Sequence, residues 1–147
     1  MVLLTVLLLA IRCRACSFLV GSYNLTAEHS SHQLSAANAF QQRRGPDATA
    51  IRHTGGWTFL HNLLSMTGRP TTQPFVAGDG MTAVLFNGEI YNFRSLARRL
   101  GLQLAADASD GEVLLPAYAR WETAFAHELH GEFAIVLVDS LHTACCW

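Results

Sequence analysis

The sequence contains no lysine, so all ten of its Lys/Arg-type cations are arginine. This excludes Schiff-base chemistry on a lysine and any phosphate-binding loop built on Gly-Lys-Ser/Thr. Charge is scarce as well: 14% of the residues are charged and the formal net charge is -1 at pH 7. There is no long-range positive field for nucleic acid and no arginine run to make a membrane-surface patch, so neither partner is expected. Cysteine is missing from the whole interior, the four present being Cys13, Cys16, Cys145 and Cys146. Clustering at the ends makes a poor disulfide framework. Cys13-x-x-Cys16 has the form of half a zinc site, but Cys145-Cys146 lacks metal-ligand spacing and no His-x-x-x-His partner exists, so no metal is expected. The seven histidines are scattered and read as surface or hydrogen-bonded residues. Internal repeats and low-complexity segments are absent.

What is present suits one folded domain: 147 residues, half of them hydrophobic. The first apolar run, Val2 to Ile11, is too short to span a bilayer. Residues 1–15 therefore read as an N-terminal extension with two open explanations. They form a signal-like segment, with small Ala15 at a cleavage point but no positive start and with Arg12 and Arg14 crowding that point; or they lie upstream of the true start, ahead of Cys16. The second is slightly favoured, with a cytoplasmic protein; the first implies secretion.

Cys16 to Ser22 is a short apolar run closed by Gly21, the pattern of a buried strand. From Glu28 to Arg43, Leu34, Ala37 and Phe40 recur at helical spacing, and Arg44-Gly45-Pro46-Asp47 stops the helix. Ala48–His53 and Trp57–Leu64 read as a hairpin around Thr54-Gly55-Gly56. Met66 to Gly80 is a Pro/Gly-punctuated loop, and Thr82–Phe86 is a strand. Residues 92–101 and about 110–128 are helical, the second with Asp110 and Glu112 where acidic groups complement the helix dipole, and Phe133–Val138 is a last strand. Strands and helices that do not alternate regularly indicate an α+β domain.

Three pieces invite chemistry: Arg44-Gly45-Pro46-Asp47, Asn87-Gly88-Glu89-Ile90-Tyr91-Asn92 and Ser109-Asp110-Gly111-Glu112. Singly, each has a plain explanation as a turn, a hairpin signal or a helix start. In order, with Cys16-Ser17-Phe18-Leu19, His61-Asn62-Leu63-Leu64-Ser65, Gln73-Pro74 and Leu129-His130-Gly131-Glu132-Phe133-Ala134, they resemble the glutaminase domain of asparagine synthetases, class II glutamine amidotransferases. The resemblance runs from Cys16 to about Asp139 and treats 16–147 as a partial domain. It implies a four-layer αββα sandwich of the N-terminal-nucleophile hydrolase type, C-terminally truncated.

It also implies a function: hydrolysis of L-glutamine to glutamate and ammonia, the ammonia serving asparagine or related amide synthesis. An amide is a poor electrophile, and a thiolate is the strongest protein nucleophile for it. Cys16 would be that nucleophile, with its own α-amino group, of reference pKa about 7.7 to 8.0, as base when it is the first residue. By the same resemblance the oxyanion donors are the Asn87 side chain and the Gly88 backbone N–H. Glutamine would be bound by Leu63, Leu64, Ser65, Met66 and Thr67, with Asn87 and Gly88, while Glu89 and Asp110 face its α-ammonium. Arg44 would order the loop beside the nucleophile.

The chain departs from the family where an arginine two residues after a histidine holds the carboxylate; here that position is Leu63. Arg69 on the following loop is one substitute, weak glutamine binding the other outcome. No cofactor is expected in this chain. ATP and Mg are expected only in the synthetase domain, which this sequence does not encode; a synthetase domain on another chain is one candidate partner beside L-glutamine. With residues 1–15 attached, Cys16 lacks a free amine and the chain is expected to be inactive. A catalytically inactive remnant, or a regulatory or partner-binding module with the same fold, is thus the alternative.

Overall fold

A computed structural model of the chain describes residues 17–21, 27–66, 68–141 and 145–146. The readings of the 1–15 extension, of Cys16 and of Thr67 lie outside the described residues. The hairpin forms as the glycines dictate. Strands β2 (Ala48–Thr54) and β3 (Trp57–Leu63) pair with Thr54 opposite Trp57, leaving Gly55-Gly56 as a two-residue turn with φ of 57° and 80°. Both positions require left-handed backbone, which glycine adopts without steric cost. Strand β1 (Ser17–Gly21) pairs antiparallel with the other edge of β3, so the sheet order is β1-β3-β2 and β3, its central strand, is buried from Thr58 to Leu63.

Helix α1 (Ala27–Gln41) lies against this sheet, Asn62 Nδ2 of β3 donating to Asn38 Oδ1 at 2.7 Å. The expected apolar face of Leu34, Ala37 and Phe40 is only partly right, because Phe40 is 82% exposed. Among the described side chains of α1 the buried ones are Leu34 and Gln41, two turns apart on one face, which turns Phe40 to solvent.

The second sheet has the order β4-β5-β6-β7, all antiparallel: β4 (Phe75–Val76), β5 (Thr82–Ile90), β6 (Gly131–Asp139) and β7 (Cys145–Cys146). Strand β5 does not end at Phe86. It runs on through Asn87 and Gly88, opposite Ala134 and Phe133, so Asn87-Gly88 is strand rather than hairpin turn. Alternation sorts β5 and β6 between two cores. Ala83, Leu85, Val136 and Val138 meet Phe59 of β3 in a cluster joining the two sheets. Val84, Phe86, Ile90, Ile135 and Leu137 pack on the other face. There they meet Leu96 and Ala97 of helix α2 (Phe93–Arg99) and Leu114 and Ala117 of helix α3 (Leu114–Trp121).

The helix read over 110–128 is three pieces: a 3₁₀ turn at Asp110–Val113, α3, and a 3₁₀ segment at Glu122–Glu128. The chain is re-aimed at Glu122, whose φ is 49°, and this brings Phe125 edge-on to Tyr118 at 6.1 Å and into the core. The domain is α+β, with two antiparallel sheets. Among the described residues, no helix is long and apolar enough to cross a membrane.

Leu85 is fully buried in the core between the sheets. Leu85→Ala is expected to lower unfolding free energy by about 2 to 5 kcal/mol, read as a shift in urea midpoint with unchanged slope.

Candidate functional site

The site is organised by the outer edge of β5. Backbone groups along a strand alternate between its two edges, and Phe86 and Ile90 face away from β6. Phe86 N–H donates to Gln73 Oε1 at 2.7 Å, and Phe86 C=O accepts from Gln73 Nε2 at 3.0 Å. Because Phe75 of β4 pairs with Val84, Gln73 falls at the register position opposite Phe86. Its side-chain amide, with a donor and an acceptor, takes the place of a backbone unit and continues the ladder past Pro74, which has no N–H to offer. Asp110, twenty residues after Ile90 in sequence, closes the same edge: Ile90 N–H donates to Asp110 Oδ2 at 2.8 Å.

Gly88 lies between these two closed positions, on the same edge by alternation, and lines an open cleft. Its N–H therefore belongs to the cleft side of the strand. Gly88 has φ of 135°, and a Cβ there would stand 1.9 Å from the Glu132 carbonyl oxygen, so no side chain fits. Asn87 beside it is buried at 5% exposure, with its side chain on the inter-sheet face of β5 that Ala83 and Leu85 share. Among the described residues its Oδ1 has no hydrogen-bond partner. A buried amide without a protein partner is costly unless something else satisfies it.

The facing wall is Leu63, Leu64, Ser65 and Met66, held by the turn after α1. Asp47 N–H donates to Leu63 C=O at 3.0 Å, and Ser65 N–H donates to Asp47 Oδ2 at 2.7 Å. Gly45 packs on β3 so closely that a Cβ would lie 2.1 Å from the Asn62 carbonyl oxygen. Arg44 N–H donates to Gln41 C=O at 2.9 Å, so the turn is fastened to the helix end as well. The Arg44-Gly45-Pro46-Asp47 segment thus braces the wall as a unit.

The acidic side is Glu89 and Asp110, with Ser109. Ser109 N–H donates to Glu112 Oε1 at 3.0 Å and Ser109 Oγ accepts from Gly111 N–H at 3.4 Å, a capping box that fixes Asp110 at the start of its 3₁₀ turn. Burial pushes the Asp110 carboxyl above its ordinary value; the backbone N–H groups of Ile90 and Gly111 oppose this, and the Glu89 charge adds to it.

Sequence reasoning missed two supports. Gln73 was legible only as a motif fragment, and its ladder role depends on register with β5. His61 is fully buried in β3, and burial lowers its pKa to about 4, so the ring is neutral. Its Nδ1 accepts from Gln73 N–H at 3.3 Å, which assigns the ring proton to Nε2. Gln73 is thereby held by its main chain to one sheet and by its side chain to the other. Leu63, Leu64, Ser65, Met66, Gly88, Glu89 and Asp110 line one cleft, while Asn87 and Arg44 are not among its described lining residues.

Two outcomes follow from these contacts. Gln73→Met strips two buried partners from Phe86 and is expected to cost about 2 to 5 kcal/mol by urea unfolding. His61 binds its proton more readily unfolded than folded, so its contribution to stability is full above pH 6.5 and falls, by up to about 3 kcal/mol, as pH drops towards 4. Asp110 acts in the opposite sense. The His61 part is the difference between the unfolding profiles of the native chain and of His61→Gln over that window, which is expected to flatten in the variant.

The family model described as a glutamine amidotransferase domain matches residues 16–146. An asparagine synthetase [glutamine-hydrolyzing] of Sandersonia aurantiaca is 34% identical over 100 residues, covering 67% of this chain and 19% of that protein. A putative asparagine synthetase [glutamine-hydrolyzing] of Mycobacterium tuberculosis (strain ATCC 25618 / H37Rv) is 32% identical over 121 residues, covering 74% and 19%. Asparagine synthetase [glutamine-hydrolyzing] 2 of Bacillus subtilis (strain 168) is 31% identical over 126 residues, covering 82% and 17%. The chain thus spans less than a fifth of the length of the curated relatives it matches. On the family match, which takes in nearly all of its residues, the chain belongs to the glutamine amidotransferase domain family.

Proposed function

We propose that the chain hydrolyses the side-chain amide of L-glutamine through a thioester on Cys16. The observation that carries the reading is the cleft itself. It gathers Gly88, the wall at Leu63–Met66 and the carboxylates of Glu89 and Asp110 from three distant stretches of a chain matched to this family. Strand β1, which starts one residue after Cys16, begins with Ser17 opposite Asn62, next to Leu63 of the cleft wall.

In the proposed reaction the α-amino group of an N-terminal Cys16 takes the thiol proton, and the thiolate attacks the amide carbon of glutamine. The carbonyl π pair moves to oxygen, and the oxyanion receives hydrogen bonds from the Asn87 side-chain amide and the Gly88 N–H, each such donor contributing about 10²-fold or more to rate. Collapse breaks the C–N bond; the leaving nitrogen takes the proton held by the α-amine and departs as ammonia. Water then adds to the γ-glutamyl thioester, its proton returning to the amine, and glutamate leaves as the thiol is restored. Asp110 and Glu89 supply negative charge for the substrate α-ammonium. The Arg44 turn and the backbone at Leu64, Ser65, Met66 and Thr67 shape the opposite wall.

The same reading takes the fold as a four-layer αββα sandwich of the N-terminal-nucleophile hydrolase type, which the contacts of α1 with one sheet and of α2 and α3 with the other support. The ammonia is proposed to serve asparagine or related amide synthesis in a synthetase domain, where ATP and Mg would act. A reduced thiol nucleophile suits the cytoplasm, where we place the activity. A second reading, a non-catalytic module of the same fold, is favoured by one observation: Leu63, apolar and buried, forms the cleft wall where the family places a carboxylate-binding cation.

Protein beginning at Cys16 is expected to release glutamate from glutamine, measured by coupled assay, and to be labelled at Cys16 by an electrophilic glutamine analogue. Protein beginning at Met1 is expected to react at least about 10²-fold more slowly, since it lacks the base. Absence of both glutamate release and labelling in the first protein overturns the catalytic reading in favour of the module.

A further inference from the structure

A free amino acid carries an ammonium and a carboxylate, and a site that selects it needs charge of both signs. The cleft has its negative side in Glu89 and Asp110. Its wall at Leu63, Leu64 and Met66 is apolar, and among its described lining residues the cation is Arg69. The Arg69 backbone is fastened to the segment that carries Asp110. Arg69 N–H donates to Asp107 C=O at 2.6 Å, and Arg69 C=O accepts from Thr71 Oγ1 at 3.0 Å. Preceding it, Gly68 has φ of 70°, and a Cβ there would lie 2.6 Å from the Ala108 carbonyl oxygen, so the loop lies flush on residues 107–108.

The guanidinium is placed and only partly occupied. Its Nη2 donates to Glu112 Oε1 at 2.9 Å, with the Arg69 side chain 49% exposed and that of Glu112 22% exposed. Glu112 is itself fixed, since the same oxygen accepts from Ser109 N–H in the capping box. Guanidinium carries five N–H donors, and an exposed pair of this kind uses few of them and is weak. The remaining donors can meet a ligand carboxylate in the bidentate geometry that arginine favours.

We infer that Arg69, held at the rim by Glu112, is the specificity-determining residue of the cleft and grips the α-carboxylate of the amino-acid ligand. The inference rests on the glutamine reading above and adds the residue that would read the carboxylate. Leu63 then serves as apolar wall beneath the ligand's methylenes, and the cation comes from the loop that follows this wall and is fastened to the segment carrying Asp110. One loop pair thus supplies both charges: Asp110 for the ammonium and Arg69 for the carboxylate.

The test is a calorimetric titration of the full chain carrying Cys16→Ala, so that ligand is not consumed. The probes are L-glutamine and 4-aminobutanamide, which keeps the amide and the ammonium but has no carboxylate. Glutamine is expected to bind more tightly than 4-aminobutanamide. Arg69→Gln should weaken glutamine about tenfold or more while leaving 4-aminobutanamide unchanged, and Arg69→Lys should fall between, keeping charge without the fork. Unfolding midpoints of the variants should match the parent, since the loop is held by its backbone. Equal glutamine affinity in Arg69→Gln, or equal weakening of both probes, overturns the role of Arg69 and leaves the glutamine reading standing. If neither probe binds the parent protein, the glutamine reading fails and this inference falls with it.

Discussion

The paired hydrogen bonds between the Gln73 side chain and the backbone of Phe86 are the constraint on which the site depends. Strand β4 pairs with β5 only at Phe75 and Val76, and the chain before it must leave the sheet to form the cleft's loop. A strand edge left bare at Phe86 would strand two buried backbone groups. A side chain carrying one acceptor and one donor removes that penalty while the main chain, tied to His61, departs. The next position along the same edge is Gly88, left for a ligand, and the one after it is closed by Asp110. Two side chains therefore do what a neighbouring strand would do, and the interval between them is the site.

That arrangement also explains how the two cores serve it. On its inter-sheet face β5 rests through Leu85 on Phe59 of β3, and through Phe86 and Ile90 it rests on the helical side. The wall across the cleft is the end of β3 and the residues after it, braced by Asp47. The β5 wall and Leu63 grow from interior strands of their sheets, so their separation is set by the packing between the sheets, while Leu64 to Met66 continue the facing wall into the loop. The acidic corner is attached independently, through the capping box at Ser109 and the bond from Ile90 to Asp110.

Much of this was legible in the sequence, and the reasons for what was not are specific. The hairpin was readable because Gly55-Gly56 between two apolar runs leaves few other conformations. The gathering of Leu63–Met66 with Gly88, Glu89 and Asp110 was readable from ordered motifs. Asn87-Gly88 carried a misleading local signal, that of a turn, which nine residues of pairing with β6 override. Phe40 was assigned to a buried face on spacing alone, though the sheet beneath α1 is met by Leu34 and Gln41. The long helix was read as continuous because nothing local announces the break at Glu122; it arises from where Phe125 must go. Gln73 and His61 act only through partners distant in sequence, and no periodicity reports that.

The unlike construction of the two sides of the cleft divides the site into a fixed half and an adjustable half. Gly88 sits within the nine-residue pairing of β5 with β6, which holds its backbone in place. Leu64 to Thr72 contains no helix or strand among its described residues, and its bonds to the rest include Ser65 N–H to Asp47, Arg69 N–H to Asp107 and the Arg69 side chain to Glu112. On the proposed reading, the oxyanion donor Gly88 lies in the first and the ligand-reading Arg69 in the second. On that reading such a domain can drift in what it accepts by changing a loop, while the strand that carries Gly88 stays as it is.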